Sequence, residues 1–269
     1  MEGAGNDFII IDNRAGALST DKIVALAPEL CHRRYGIGAD GVIALQESEK
    51  KELDYTMFYR NADGSDAGMC GNGARCLALY ASKRGLGEEF RFNVHETIYK
   101  AKVKPSKNTV TIFFLMEVAV KEITLKSGTS FLQAYTGTEH IVRQVSKNKL
   151  DDRDFLISQG RKYRNHPRFK PPGTNVNFIC GNSDDSLDLQ TYERGVEGLT
   201  LACGTGAIAS ALTWHHILKM GACTDHVMQV HTKGGNLWVH YTFDTNSNSY
   251  KNIRLNGEAH FVFEGSYTL

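Results

Sequence analysis

One five-residue phrase occurs twice in this chain, and it constrains the fold more than any other feature. Cys70-Gly71-Asn72-Gly73-Ala74 is echoed by Cys203-Gly204-Thr205-Gly206-Ala207, about half the chain length further on. In each copy a polar loop precedes the cysteine and a helical pattern follows it. Ala74, Leu77, Ala78 and Ala81 recur at helical intervals over Gly71 to Lys83, and Ala207, Ile208, Ala211, Leu212 and Leu218 do so over Gly204 to Lys219. A repeat at half-length predicts two similar lobes, each with a cysteine at a helix N-terminus.

The rest of the chain supplies mostly strands. Short apolar or alternating runs predict strands at Phe8 to Asp12, Val42 to Leu45 and Tyr55 to Tyr59. Several more are expected between Phe90 and Val145, with turn signals at Lys107-Asn108 and Ser127-Gly128. Asn175 to Ile179, Leu187 to Tyr192, Val227 to His231, Leu237 to Phe243 and Ile253 to Phe263 complete the set. Asn61 to Gly68 is a polar, glycine-containing loop. Two further helices are expected. Asp21 to Arg33 carries Ile23, Val24, Ala27 and Leu30 on one face, and Asp151 to Tyr163 reads as a surface helix. The fold class is therefore α+β. The expected lobes are residues 1–117, carrying Cys70, and 118–260, carrying Cys203. A C-terminal strand at about 261–269 is expected to pack back on the first lobe.

Charge and composition exclude several classes of function. The 269 residues include 31 basic and 30 acidic side chains, a net charge of +1, which gives nucleic acid or an anionic membrane nothing to recognise. No run of eighteen apolar residues is present, so no membrane-spanning helix is expected. The opening Met1-Glu2-Gly3-Ala4-Gly5-Asn6-Asp7 lacks the basic and apolar regions of a secretory signal, which predicts a cytoplasmic protein. Its six cysteines are then expected as reduced thiols. Cys31, Cys76, Cys180 and Cys223 read as small buried apolar residues. Gly36-Ile37-Gly38-Ala39-Asp40-Gly41 fits a dinucleotide fingerprint by letter only. A helix precedes it and a strand follows, the reverse of what that motif requires.

A thiol at a helix N-terminus lies beside unpaired N–H groups and a partial positive charge. Its thiolate is stabilised there. Glycines after the cysteine let a ligand carboxylate approach the same N–H groups closely. If the two lobes face each other across a cleft, an amino acid can sit with its carboxylate between two helix ends and its α-carbon between Cys70 and Cys203. One thiolate removes the α-proton, the opposite thiol delivers one, and the configuration inverts. The helix ends offset the charge that develops on the carboxylate. A zinc site is the competing reading, but Cys70 and Cys76 are too far apart in sequence, and Cys203 lacks a nearby partner.

At these residues the sequence closely resembles the diaminopimelate epimerases. The matching blocks are Gly3-Ala4-Gly5-Asn6-Asp7-Phe8, Gly36-Ile37-Gly38-Ala39-Asp40, Asn61-Ala62-Asp63-Gly64-Ser65, Cys70 to Cys76, Gly173-Thr174-Asn175-Val176-Asn177-Phe178, and Tyr192-Glu193-Arg194-Gly195 leading into Ala202 to Ala207. The resemblance implies two lobes in a pseudo-twofold repeat, each wrapping strands around a central helix, with the active site in the cleft between them. It implies interconversion of LL- and meso-diaminopimelate in lysine and cell-wall precursor synthesis, without cofactor or metal, by a protein that is commonly a homodimer. Cys70 and Cys203 match the family's acid–base thiols. Asn6, Asn61, Asn175 and Arg194 match positions that hold the distal amino and carboxylate groups of the substrate. Gly71, Asn72, Gly204 and Thr205 match the cradle for the reacting carboxylate. His140 and Glu193 match polar neighbours that orient substrate or thiols.

Three positions depart from the family pattern. Where the family typically reads Gly-Asn-Pro-His, this chain has Gly137-Thr138-Glu139-His140. Gly41 stands where some members carry glutamine. The short strand that usually leads into the first block is also expected to be lacking, since Met1 already abuts that block. The first two changes fall on the substrate pocket and leave both cysteine motifs intact. They keep open a same-fold racemase or isomerase of another amino acid, for example histidine. A non-enzymatic amino-acid-binding protein is the remaining alternative.

Overall fold

In the computed structural model, which describes residues 1–66, 68–171 and 173–268, each C-G-x-G-A segment starts a helix almost wholly buried under strands. The chain divides into two compact units. One is Met1–Phe113 with Gly257–Leu269, and the other is Phe114–Asn256.

The first unit contains β1 (Glu2–Gly3), β2 (Asn6–Asp12), α1 (Thr20–Cys31), β3 (Gly41–Gln46), β4 (Tyr55–Asn61), α2 (Gly71–Lys83), β5 (Glu89–Val94), β6 (Thr97–Lys104) and β7 (Thr109–Phe114). The strands neighbour one another in sequence order. Their successive pairings run antiparallel, parallel, antiparallel, parallel, antiparallel, antiparallel. A parallel pair needs a crossover. α1 makes the one between β2 and β3, and α2 the one between β4 and β5.

The second unit contains β8 (Lys121–Thr124), β9 (Ser130–Tyr135), β10 (Glu139–Gln144), α3 (Lys147–Asp151), α4 (Arg153–Arg164), β11 (Asn175–Ser183), β12 (Ser186–Glu193), β13 (Gly198–Thr200), α5 (Gly204–Ile217), β14 (Cys223–Thr232), β15 (Gly235–Asp244) and β16 (Ser249–Glu258). From β9 to β16 the pairings repeat the same series, with β13 set aside as a spur on β12. Here α3 and α4 make the first crossover and α5 the second. The half-chain repeat read from ten residues thus extends to the whole order of pairings.

Most expected elements form, with differences that have local causes. α1 begins where Ser19 accepts the Lys22 N–H. It stops at Cys31, short of Arg33, because His32 turns extended and its Nδ1 takes the N–H groups of Arg34 and Tyr35. Leu26 is buried in α1 and Val24 only half-buried, so the core face is rotated slightly from the expected one. The surface helix expected over Asp151 to Tyr163 forms as α4, starting after Asp152, whose carboxylate caps the Phe155 N–H, and the short α3 precedes it. α5 buries Ser210, Thr213 and His215 along with its apolar residues, so a one-sided stripe understates its burial.

The expected strand at about 261–269 does not form over 261–268, and Leu269 lies outside the described residues. β16 ends at Glu258 rather than running to Phe263. Side chains, not a ladder, tie this tail to the first unit. Phe261 packs on Tyr80, Glu264 pairs with Arg84, and the Tyr267 hydroxyl donates to Glu29. Glu2–Gly3 pairs with β2 as a two-residue strand, and Glu2 bridges to His260. Ala67, within the Asn61 to Gly68 loop, lies outside the described residues. Cys31 and Cys76 are buried as expected, whereas Cys180 and Cys223 are only half-buried. Among the described residues no helix is long and apolar enough to cross a membrane.

Candidate active site

Cys70 and Cys203 are the N-cap residues of α2 and α5, with backbone angles of −113°, 113° and −118°, 114°. Each cysteine carbonyl accepts the N–H of the alanine four residues on, at 2.8 Å in both lobes. The N–H groups of the two intervening glycines and of Asn72 or Thr205 therefore lie in the first turn, where a helix has no internal acceptors. Sequence alone licensed this placement, and the structure supplies it twice.

The glycines are required for different reasons. A Cβ on Gly73 would stand 2.6 Å from Ile43 Cδ1. A Cβ on Gly206 would stand 2.6 Å from Asn177 Oδ1 and 3.1 Å from Thr191 Oγ1. Both helices thus press their first turn directly onto strands of their own lobe.

In the first unit, Cys70 Sγ lies 3.7 Å from Asn6 Oδ1, and Asn72 Nδ2 donates to the same oxygen at 3.5 Å. The amide orientation of Asn6 is fixed from behind, because its Nδ2 donates to Asp40 Oδ2. Asp40 in turn shares Arg33 with Asp7. Arg33 contacts both Asp7 oxygens at 2.7 and 2.8 Å and Asp40 Oδ1 at 2.7 Å. Burial raises the Asp7 pKa, but the hydrogen bond and charge of Arg33 outweigh it and hold the carboxyl below its usual range. Asn61, at the end of β4, accepts from the Tyr59 hydroxyl and donates to Ser65 Oγ at 3.0 Å. Behind the first turn of α2 lies Arg75, fully buried. It donates to the carbonyls of Glu258 and Gly71 at 3.3 and 3.4 Å, and burial lowers its pKa.

In the second unit, Cys203 Sγ accepts the Gly206 N–H at 3.4 Å and lies 3.6 Å from Thr205 Oγ1. Thr205 Oγ1 is 3.0 Å from His140 Nε2, and His140 Nδ1 is 3.0 Å from Asn177 Nδ2. Asn177 also donates to the Ile141 carbonyl and accepts from Thr191 Oγ1 at 2.9 Å. His140 is completely buried, and burial, reinforced by the Arg194 charge, pushes its pKa down to about 3. The imidazole is neutral near pH 7.

Asn175 takes the Arg194 N–H on Oδ1 at 2.8 Å and gives Nδ2 to the Glu139 carbonyl at 3.2 Å. An amide has two donors and two acceptor lone pairs. One of each remains on Asn175 beyond these contacts. Arg194 Nη2 donates to Thr138 Oγ1 at 3.0 Å. Glu139 accepts from Gln133 Nε2 at 3.0 Å. Glu193 ends β12, half-buried and adjacent to Arg194.

The structure thus groups Asn6, Cys70, Gly71 and Asn72 in one lobe, and His140, Thr205, Cys203 and Gly204 with Asn175 and Arg194 in the other. Sequence reasoning missed Asn177 and Thr191, Asp40 and Arg33, and Arg75. Asn177 left a trace, as a polar residue at an inward-facing station of the apolar run Asn175 to Ile179. Among the described residues no cluster of three or more His, Cys, Asp or Glu could hold a metal ion.

The diaminopimelate epimerase family model matches residues 1–121 and 132–262. A diaminopimelate epimerase of Chlorobaculum tepidum is 38% identical over 275 residues, spanning all of both chains. One from Flavobacterium psychrophilum is 36% identical over 98% of this chain and 96% of its own. Among solved structures, a Bacillus anthracis phenazine biosynthesis protein of the PhzF family superposes with a TM-score of 0.72 at 14% identity, over 96% of this chain and 92% of that one. A probable proline racemase from Agrobacterium radiobacter gives 0.69 at 15% identity, over 100% and 91%. These two likenesses show a shared sheet-rich α+β fold.

Proposed function

The chain belongs to the diaminopimelate epimerase family and is an isomerase, and on that premise we propose that it interconverts LL- and meso-diaminopimelate by passing the α-proton between Cys70 and Cys203. The observation that carries this reading is the matched placement of the two thiols. Each caps a buried helix with the same backbone conformation, at the same station of a repeated order of strands.

The chemistry follows from that pairing. A thiolate takes the α-hydrogen as a proton and becomes a thiol, leaving the electron pair on the α-carbon in conjugation with the carboxylate. The other thiol gives its proton to the opposite face of the carbon and becomes a thiolate. The enzyme ends with its proton on the other sulfur, and the carbon is inverted. Proton transfer of this kind contributes roughly 10²- to 10⁴-fold to rate. N–H groups at Gly71, Asn72, Gly204 and Thr205 form the carboxylate cradle, and they favour the form in which negative charge has moved onto its oxygens. Asn6, Asn61, Asn175 and Arg194 hold the substrate's far amino and carboxylate groups, with the spare donor and acceptor of Asn175 available for it. Glu193 and His140 assist by orientation. The reaction uses no cofactor and no metal.

In the same reading the protein works in the cytoplasm, on the route to lysine and cell-wall precursors, as a homodimer without nucleic-acid or membrane partners. The test is exchange of the α-proton of diaminopimelate with deuterium in D₂O, by purified protein under reducing conditions with no cofactor added. Exchange at the α-carbon is expected, and its absence from folded protein overturns the reading.

A second substrate is favoured by one observation. Thr138, where the family pattern has an amide, is bonded to Arg194 and narrows what that guanidinium can offer a ligand. A panel of free amino acids, histidine included, in the same exchange assay separates the two readings.

A further inference from the structure

The two thiols sit at equivalent stations, but the groups that meet them have opposite hydrogen-bonding character. Cys70 meets an acceptor. Asn6 Nδ2 faces the Asp40 carboxylate, which can only accept, so Oδ1 is the end that reaches Cys70 Sγ at 3.7 Å. Arg33 in turn donates to Asp40 Oδ1 at 2.7 Å. A sulfur beside a carbonyl oxygen is favoured as S–H, not as S⁻.

Cys203 meets donors. Asn177 Nδ2 faces the Ile141 carbonyl, while Oδ1 takes the Thr191 hydroxyl, so the nitrogen is the end that donates to His140 Nδ1. His140 therefore carries its hydrogen on Nε2 and donates it to Thr205 Oγ1. The threonine's own hydrogen is then directed to Cys203 Sγ at 3.6 Å, beside the Gly206 N–H at 3.4 Å. Two donors converging on one sulfur favour the thiolate.

We propose that the ligand-free enzyme rests with its proton on Cys70 and its negative charge on Cys203, and that Asn6 with Asp40, and Asn177 acting through His140 and Thr205, are the positioning residues that set this asymmetry. The proposal deepens the two-thiol reading above. It implies that the direction of reaction whose substrate offers its α-hydrogen to Cys203 proceeds from the resting form, whereas the reverse direction first requires the proton to move between sulfurs.

Charged groups around Cys70 include Asp40 and Arg33 behind Asn6, Glu2, and the buried Arg75, whose charge acts on Cys70, Cys76 and Glu2 alike. On the Cys203 side they include His140, which is neutral and reaches Cys203 through Thr205, and Arg194, whose charge acts on His140. Arg75 is the rival influence. In the second lobe its counterpart is Ile208, so charge alone would put the thiolate on Cys70. Arg75 directs its hydrogen bonds to the Glu258 and Gly71 carbonyls, whereas Asn6 and Thr205 make direct contact with the sulfurs.

Alkylation separates the two influences, because the thiolate is the reactive form. Initial rates of iodoacetamide labelling at each cysteine of the ligand-free wild-type protein are followed by mass spectrometry from about pH 5 to 10. The midpoint in pH reports protonation independently of accessibility, which differs between the half-buried Cys70 and the buried Cys203. The Cys203 midpoint is expected about one pH unit or more below that of Cys70, a tenfold difference in proton affinity. Thr205→Val is expected to raise the Cys203 midpoint, and Asp40→Asn, which frees the Asn6 amide to turn over, to lower that of Cys70. Equal midpoints, or a lower one at Cys70, overturn the proposal, and the latter gives the control to Arg75. Labelling needs no substrate, so a chain that shows this order yet fails to exchange diaminopimelate would lose the reaction and keep the proton placement.

Discussion

Asn177 donates its side-chain amide to His140 Nδ1 at 3.0 Å from a neighbouring strand, and the orientation of that amide is locked by Ile141 and Thr191. A completely buried imidazole is thereby held in a single neutral tautomer whose other nitrogen addresses the first turn of α5.

This pairing makes stability depend on acidity. The folded pKa of His140, about 3, lies below the ordinary value near 6.5, so the folded protein binds fewer protons than the unfolded chain. The stability contributed by the neutral ring is fully present above about pH 6.5 and is lost progressively as pH falls toward 3. His140→Gln is expected to cost about 1–3 kcal/mol at pH 7 through lost buried hydrogen bonds and to flatten the acid limb between pH 6.5 and 4. Urea midpoints of both proteins across that range provide the check.

Gly206→Ala is expected to damage the second lobe at one point. The new methyl would stand 2.6 Å from Asn177 Oδ1, an atom that cannot retreat without releasing Thr191. A loss of about 1–3 kcal/mol is expected, accompanied by a rise in the pH midpoint of Cys203 labelling. An alanine that leaves the denaturation midpoint unchanged contradicts this account.

Gly41→Gln, the exchange that the family resemblance suggests, is expected to destabilise this chain. Even a Cβ there would lie 2.5 Å from both the Arg60 carbonyl and Tyr59 Cε2. A cost of about 1–3 kcal/mol is expected, and the companion change Tyr59→Ala should relieve part of it. Thermal melts of the single and double variants show whether the two sites couple.

Removing either thiol should stop inversion while sparing the fold. Cys70→Ala and Cys203→Ala are each expected to lower α-proton exchange by about 10²- to 10⁴-fold or more. Circular dichroism and melting should remain near wild type, since each loses one small N-cap side chain. Retention of wild-type exchange by either variant would remove that cysteine from the mechanism.

Much of this was legible in the linear chain. The C-G-x-G-A echo predicted two helix-capping cysteines, and the period of the apolar residues located most strands, because both signals are local and repeat within a few residues. The boundaries at Cys31, Asp152 and Glu258 were missed. Each is set by a side-chain cap or by the end of a pairing partner, which spacing does not record. Asn6, His140 and Thr205 were identified through resemblance, but nothing in sequence order joins Asn6 to Asp40 or His140 to Asn177.

The sequence by itself therefore determined the kind of chemistry: two thiols, two helix ends and a cradle of glycines, all specified by contiguous residues. Only the tertiary structure decided that these two equivalent stations differ. The polarity of a hydrogen bond at a sulfur depends on which end of an amide faces it. That orientation is fixed by partners more than thirty residues away in sequence, Asp40 just before β3 for Asn6, and His140 and Ile141 on β10 for Asn177.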